Sequence, residues 1–520
     1  MAAVSFEPPE GFSIADYFLD DRLREGRGDR TALVCGERRL SYREVHALAN
    51  RFANVFAALG LEPEQRVLIA LPDAPEYVGA LFGAFKSGAV AVMANPALKP
   101  EEIAYFYEYT RVRLAVVPAE RLATWAEAAA GSRWLKRLLV VGGDPGGHAS
   151  WESEASRTSD RFENVPTHRD DACLWLFSGG TTGRPKAVLQ THRSYANTTE
   201  LLAKATLGYT ESDVTLSVPK LFFGYATGSN LFFPFAVGGT SVLFPEHPTP
   251  EAVFEQIRRH RPTILINVPT LVSQMVAHPE AAHQDLSCLR FATSAGEALP
   301  PELHRRWMER FGVELLDGLG TAEMWHVFIT NRPGDVRPGT LGRPVEGFDV
   351  RVCDDGGREL PAGEVGALRV RGASRALGYW QQAERTASAF QGDWYVTGDL
   401  VSRDADGYFT YAGRADDMLK VAGKWVAPAE VEDCLLGHGS VKECAVVGVS
   451  DAHGLVKPCA FVVLQETQAG SPSLIAELQA FVKERLAPYK YPREVVFVET
   501  LPRTHLGKVD RGRLRRQARA

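Results

Sequence analysis

Short apolar runs recur along this chain with amphipathic stretches between them. RVLIAL, LAVVPA, RLLVVGG, CLWLF, TILINVP and RFATSA each read as a buried strand, and the segments between them carry helix-like spacing. That alternation predicts an α/β architecture of mixed, partly parallel sheets covered by helices. After about residue 345 the texture changes. FDVRVCDDGGRELPAGEVGALRVRG is a series of strand-length pieces broken by turn residues, which predicts a small β unit attached to the large N-terminal part. A separate α+β C-terminal unit is expected from near GRADDMLK onward. Its strands are ECAVVGV, PCAFVVL and EVVFVE, and its helix, SPSLIAELQAFVKERL, places Leu474, Leu478, Phe481, Val482 and Leu486 on one face.

Size and charge narrow the classes. With 520 residues and 45% hydrophobic content the chain has room for several domains and a sizeable core. A formal net charge of -6 removes the overall basic footprint of a nucleic-acid binder. The basic end RGRLRRQARA is short and lacks interleaved aromatics, so it reads as a frayed, solvated tail. The seven cysteines, Cys35, Cys173, Cys288, Cys353, Cys434, Cys444 and Cys459, form no CxxC pair, and their odd number points to free thiols. MAAVSFEPPEGF lacks the basic and apolar regions of a signal peptide, and YVGALFGAFKSGAVAVMANPAL is broken by Lys86 and glycines. A soluble cytoplasmic protein is the expectation.

The most distinctive stretch is SGGTTGRPKAV, Ser178 to Val188. CLWLF before it and KAVLQ after it read as strands, so the loop joins two strands at a sheet edge. Glycines let backbone N–H groups converge on an anion, threonine hydroxyls add donors and Lys186 adds a positive charge, a composition suited to phosphate. It is no Walker loop, because Pro185 precedes the lysine and Ala187-Val188 follow it in place of Ser or Thr and a helix.

Together with TAE at Thr321 to Glu323, YVTGDL at Tyr395 to Leu400, GRADDMLK at Gly413 to Lys420 and PRTHLGKVDR at Pro502 to Arg511, the loop resembles the acyl-adenylate-forming superfamily of acyl-CoA synthetases, carrier-protein adenylation domains and luciferases. Within it, KLFFGYATG, SAGEALP and DGLGTAEMWHVFITNRPG look most like the benzoate-CoA ligase group. The resemblance implies an N-terminal adenylate-forming domain over residues 1–415 and a mobile C-terminal domain over 416–520. It implies activation of a carboxylic acid by ATP with Mg²⁺, pyrophosphate release, and transfer of the acyl group to coenzyme A, with a homodimer as the expected assembly.

Site residues follow by the same resemblance. Ser178, Gly179, Gly180, Thr181, Thr182 and Gly183 would wrap the triphosphate with Lys186 beside them, and Glu323 would hold the Mg²⁺. Gly296, Glu297 and Ala298 would lie along the adenine. In the DGLG run of Asp317, Gly318, Leu319 and Gly320, Asp317 would meet the base edge and Leu319 its face. Asp399 would accept from the ribose hydroxyls and Arg414 would make a second ribose or phosphate contact. Lys508 would reach the reacting carboxylate and the α-phosphate from the small domain, Asp416 would be the hinge between the two half-reactions, and the segment from Ala422 through Gly423, Lys424 and Trp425 would face the pantetheine of coenzyme A.

Two positions depart from the pattern. Leu319 replaces an aromatic commonly stacked on the adenine. Ala322 stands where the superfamily usually has threonine, leaving Thr321 to supply a hydroxyl from one place earlier. The implied acyl pocket, Phe222, Phe223, Gly224, Tyr225, His326 and Val327, suits a flat ring better than a flexible chain. Benzoate, 2-aminobenzoate and hydroxybenzoates all stay open. Two rival readings stand beside the aryl-CoA ligase: an enzyme loading an aryl acid onto a carrier protein, and a catalytically silent adenylate-binding homologue.

Overall fold

The computed structural model describes residues 6–179, 184–421, 424–450, 456–465, 468–503 and 509–518, apart from the side chains of Lys420, Lys424, Trp425 and Ser450. Two large mixed sheets lie in the N-terminal part. The first has nine strands, in the order Arg343–Pro344, Val327–Thr330, Leu315–Gly320, Phe291–Ser294, Ile264–Asn267, Val214–Ser217, Thr240–Leu243, Thr31–Cys35 and Arg38–Ser41. Its middle is parallel: Ile264–Asn267, Phe291–Ser294 and Leu315–Gly320 run side by side, with Asn267 opposite Ser294 and Ser294 opposite Asp317. Such strands are buried on both faces by crossover helices and therefore read as unbroken apolar runs.

The second sheet has eight strands and contains the four runs RVLIAL, LAVVPA, RLLVVGG and CLWLF. At one end the strands Ala172–Ser178 and Lys186–Thr191 form an antiparallel hairpin in which Ser178 pairs with Lys186. The hairpin does not end the sheet as the sequence led us to expect. The short strand Gly378–Tyr379 covers its outer side through pairing with Leu189 and Val188. One continuous hydrophobic core, including Phe52, Phe82, Phe232 and Trp325, fills the space between the two sheets.

Residues past 345 form the expected small unit, an antiparallel sheet of Asp349–Cys353, Val365–Arg371, Trp394–Arg403, Phe390–Gln391 and Phe409–Arg414. A three-stranded sheet follows further on, built from Val441–Ser450, Val456–Leu464 and Glu494–Phe497, with the helix Pro472–Arg485 packed on it through Leu474, Leu478 and Val482. The core beneath that helix has no member earlier in the chain than Leu419.

The basic tail departs from the solvated reading. Arg511–Gln517 is a helix that buries Leu514 completely, capped by the Asp510 carboxylate accepting from the Arg513 N–H. Arg511 donates to the Glu432 carboxylate and to the Val446 carbonyl, and Arg515 pairs with Asp417. Two of the tail's arginines, Arg511 and Arg515, are thus committed to carboxylates of the same unit, while Arg513 and Arg516 are exposed. No helix among the described residues is long and apolar enough to cross a membrane.

Candidate active site

Two of the implied site segments follow neighbouring parallel strands. In an open α/β sheet the carboxyl ends of the strands form a natural crevice, because the chain leaves each strand there in a loop. Ser294 leads into Gly296, Glu297 and Ala298, and Asp317 leads into Gly318, Leu319, Gly320 and Thr321. Glu297 accepts from the Thr270 hydroxyl at 2.8 Å. Asp317 is 8% exposed, and its Oδ1 has no hydrogen-bond partner among the described residues. Burial pushes its carboxyl well above the ordinary range, with only the Gly318 N–H opposing the shift.

Glu323 comes from the turn after this strand. Thr321 caps that turn, its Oγ1 accepting from the Met324 N–H at 3.3 Å. The hydroxyl expected to replace the missing threonine at 322 therefore has one lone pair committed locally. Glu323 is buried and meets the loop hairpin of the other sheet: Lys186 Nζ lies 3.2 Å from Oε1, and the Tyr379 hydroxyl donates to the same oxygen at 2.7 Å. Burial raises the Glu323 pKa, but the Lys186 ammonium and the Tyr379 O–H outweigh it, and the carboxyl sits below its ordinary value. The Lys186 ammonium also rests 3.9 Å from the centre of the Tyr379 ring. Gln190, on the same hairpin, donates to the Ala322 carbonyl at 2.6 Å and ties the two sheets together at this point.

Ser178 and Gly179 border the loop, and the Ser178 hydroxyl is buried with no partner among the described residues. Gly180, Thr181, Thr182 and Gly183 lie outside the described residues, as do Gly423 and Lys508. Lys424 and Trp425 are described only as backbone of the strand Lys424–Val426. Asp399 is 4% exposed in the small antiparallel sheet, where Arg414 on the neighbouring strand donates to its Oδ1 at 3.1 Å and to the Thr397 carbonyl at 3.1 Å. Asp416 is exposed in the turn Ala415–Asp417, at the junction between the small sheet and the C-terminal unit.

The aromatic enclosure is built on a helical run through Gly224–Val237 that the sequence reading missed. Its middle, Gly228–Phe232, is a π-helical segment, a form often found at functional sites. Phe222 and Phe223 precede it, their ring centres 4.4 Å apart, and a Cβ at Gly224 would come within 3.0 Å of Leu176. The Tyr225 hydroxyl and Thr293 Oγ1 are 2.6 Å apart. His326 lies 3.1 Å from the Tyr225 carbonyl through Nε2, and the same nitrogen lies 3.1 Å from the Ser229 hydroxyl. A carbonyl only accepts, so this nitrogen carries the proton. Burial lowers the His326 pKa to about 4 despite that bond, and the imidazole is neutral near pH 7. Val327 is buried beside it.

Two glycines make this packing possible. A Cβ on Gly228 would fall 2.5 Å from His326 Cδ2, and one on Gly320 would fall 2.5 Å from the His326 carbonyl oxygen. Between Glu323 and His326 the backbone turns at Trp325, φ +63° and ψ −47°, with the His326 N–H donating to the Met324 carbonyl at 2.8 Å. This φ-positive γ-turn is strained for any L-residue, least of all suited to a bulky one. The buried Trp325 indole, 4.0 Å from the Tyr195 ring centre, holds it in place. The turn separates a carboxylate facing Lys186 from an imidazole facing Tyr225. Tyr379, Ser229 and Thr293 carry no motif signal in a single sequence, and Gly228 closes the KLFFGYATG motif without a role being read for it.

Comparison with known proteins agrees with this geometry. A family model described as AMP-binding enzyme matches residues 20–380, and one described as the AMP-binding enzyme C-terminal domain matches residues 430–508. The benzoate–CoA ligase of Thauera aromatica is 43% identical over 509 residues, covering 98% of this chain and 96% of that protein. Among solved structures, the anthranilate CoA ligase AuaEII in complex with anthranoyl-AMP superposes with a TM-score of 0.94 at 40% identity, covering 98% of each chain. A benzoate CoA ligase from Burkholderia xenovorans LB400 superposes with a TM-score of 0.90 at 40% identity, over 97% of this chain and 100% of that one.

Proposed function

This chain belongs to the AMP-binding enzyme family, and we propose that it is an ATP-dependent aryl-CoA ligase acting on a benzoate-type acid. The observation that carries the reading is the meeting of Lys186 and Glu323 at the ends of the parallel strands, one turn of backbone away from the aromatic enclosure of Tyr225 and His326. Charge handling and ring recognition are thereby neighbours. The first relatives and structures matched are named for benzoate and anthranilate.

In the first half-reaction a carboxylate oxygen of the acid attacks the α-phosphorus of ATP, the bond to the β-phosphate oxygen breaks, and pyrophosphate leaves. Negative charge builds on the phosphates, and cations aimed there are the largest catalytic term available. We assign that task to Lys186, to the loop from Ser178 to Gly183 and to Lys508. The described residues hold no group of three or more His, Cys, Asp or Glu able to cage a metal. A lone carboxylate, Glu323, fits Mg²⁺, which takes one or two protein carboxylates and fills its remaining positions with phosphate oxygens and water. Held by Glu323, Mg²⁺ would supply positive charge against the negative charge of the phosphates. Asp399 and Arg414 serve the ribose, and Asp317 serves the base edge.

In the second half-reaction the thiol of coenzyme A attacks the carbonyl carbon of the acyl-AMP, the carbon–oxygen bond breaks and AMP leaves. Both steps use one nucleotide site. We therefore assign residues 1–415 and 416–520 to two domains that rearrange about Asp416 between them, a recognised use of a hinge. The acyl pocket offers no cation to a ring substituent, since His326 is neutral. Benzoate and its 2-amino and hydroxy derivatives are the expected substrates. One substituent in such a pocket changes selectivity by about 1–3 kcal/mol, so several rings are accepted.

The test is mass spectrometry of reactions with Mg-ATP, coenzyme A and a panel of benzoates, cinnamates and medium-chain fatty acids. Thioesters confined to the benzoates are expected. Pyrophosphate release without thioester would move the reading to a carrier-protein acceptor, and neither product with any acid would overturn it in favour of a silent homologue.

A further inference from the structure

A single guanidinium joins the C-terminal unit to the segment assigned to the adenine. Arg503 NH1 donates to the Thr270 hydroxyl at 3.0 Å and lies 3.9 Å from the Glu297 carboxylate; its NH2 donates to Glu443 at 3.1 Å. Thr270 in turn donates to the other oxygen of Glu297. Glu443 stands on the strand Val441–Ser450 of the C-terminal sheet, whereas Thr270 and Glu297 belong to the large nine-stranded half. The planar fork of an arginine suits this bridging, because its two terminal nitrogens present donors in different directions at fixed geometry. Arg503 also pairs through its backbone with Val509 in an antiparallel bridge. The chain on both sides of residues 504–508 is thus anchored beside Thr270 and Glu297.

We infer that Arg503 is a positioning residue which docks the C-terminal unit on the nucleotide segment for the acid-activating half-reaction alone. The inference rests on the aryl-CoA ligase reading, since it gives the docked arrangement one of two half-reactions to serve. The strength of the bridge fits such a role. Arg503 and Glu297, the pair that crosses between the two halves, are 28% and 24% exposed, and partly solvated ion pairs of this kind are weak enough to break and re-form in each turnover. A second contact at the same junction, Arg306 to the Leu436 carbonyl at 3.4 Å, is longer and contributes less orientation. The bridge also places the information where it is needed: Glu297 is the neighbour of Gly296 and Ala298, so a nucleotide lying along that segment would meet the docked unit through one shared carboxylate.

Two measurements on the full-length chain decide it. In Arg503→Met, ATP–pyrophosphate exchange supported by an aryl acid is expected to fall about fivefold in kcat, the upper end of what one partly exposed charged bridge contributes. Thioester formation from supplied acyl-AMP and coenzyme A is expected to stay within about twofold, and Arg503→Lys to recover part of the loss. Equal losses in both half-reactions, or no loss in exchange, would overturn the inference. Independently of turnover, spin labels attached through bio-orthogonal side chains at the exposed positions Ala282 and Ala480 report the distance between the two halves. The parent is expected to give one dominant distance with Mg-ATP and Arg503→Met a broadened distribution. An unchanged distribution would overturn the clamp even if the parent activated no aryl acid, an outcome that would count against the proposed function separately.

Discussion

Lys186 and Glu323 come from different sheets and form a buried ion pair with 3.2 Å between Nζ and Oε1. Neither half of the pair is stable alone, since an unpaired charge at this depth carries a heavy desolvation cost. Glu323→Gln keeps the shape and removes the charge. Pyrophosphate release is expected to fall by about 10²–10³ and the Mg²⁺ concentration for half-maximal rate to rise. Steady-state rates across a Mg²⁺ titration check this, and a variant within fivefold of the parent at every concentration would remove Glu323 from the metal role.

Gly228 leaves no room for a side chain beneath His326. In Gly228→Ala the new methyl would stand 2.5 Å from Cδ2 of the imidazole, so the ring must shift. Overpacking of this kind costs about 1–3 kcal/mol. On the proposed assignment of His326 to the acyl pocket, the expected signature is a KM for the aryl acid raised roughly tenfold with the KM for ATP little changed. Parallel rises in both constants would show that the damage is general.

His192 is buried, and its Nδ1 accepts from the Ile14 N–H at 3.1 Å. Burial lowers its pKa to about 4. The unfolded imidazole binds a proton near pH 6.5, so between that value and pH 4 the unfolded chain holds more protons than the folded one. The stability tied to a neutral His192 is therefore complete above pH 6.5 and is lost as pH falls toward 4, by roughly 3 kcal/mol. Denaturant unfolding of the parent and of His192→Gln at pH 7 and pH 4.5 isolates it. The difference between the two proteins should shrink at the lower pH; a constant difference would mean that folding does not shift the His192 pKa.

Much of the scaffold was legible because its strands are buried on both faces. Each of the six apolar runs became a strand, and the loop motif lies on the hairpin that its flanking residues required. The helical run from Gly224 to Val237 was not legible. Its LFFPFAV stretch is apolar all round, as a fully buried helix must be, and periodicity then gives no signal. The tail Arg511–Gln517 misled for the opposite reason. Arg511 and Arg515 looked solvated because their partners Glu432 and Asp417 lie about eighty or more residues upstream, and only the fold brings them together. Motif residues such as Glu323 and Asp399 could be singled out in advance. Tyr379, which donates to Glu323, could not, since a tyrosine between glycine and tryptophan carries no chemistry until its neighbour is known.

The route through an acyl-AMP makes a demand on one oxygen atom. If a carboxylate oxygen attacks the α-phosphorus and the thiol later breaks the carbon–oxygen bond, that oxygen must leave with AMP. The measurement is a reaction of benzoate labelled with ¹⁸O in both carboxylate positions, unlabelled Mg-ATP and coenzyme A, followed by mass spectrometry of every phosphorus-containing product. One ¹⁸O in AMP, none in pyrophosphate and one left in the thioester carbonyl is the predicted outcome. Label in inorganic phosphate or pyrophosphate, or unlabelled AMP beside the thioester, would contradict it.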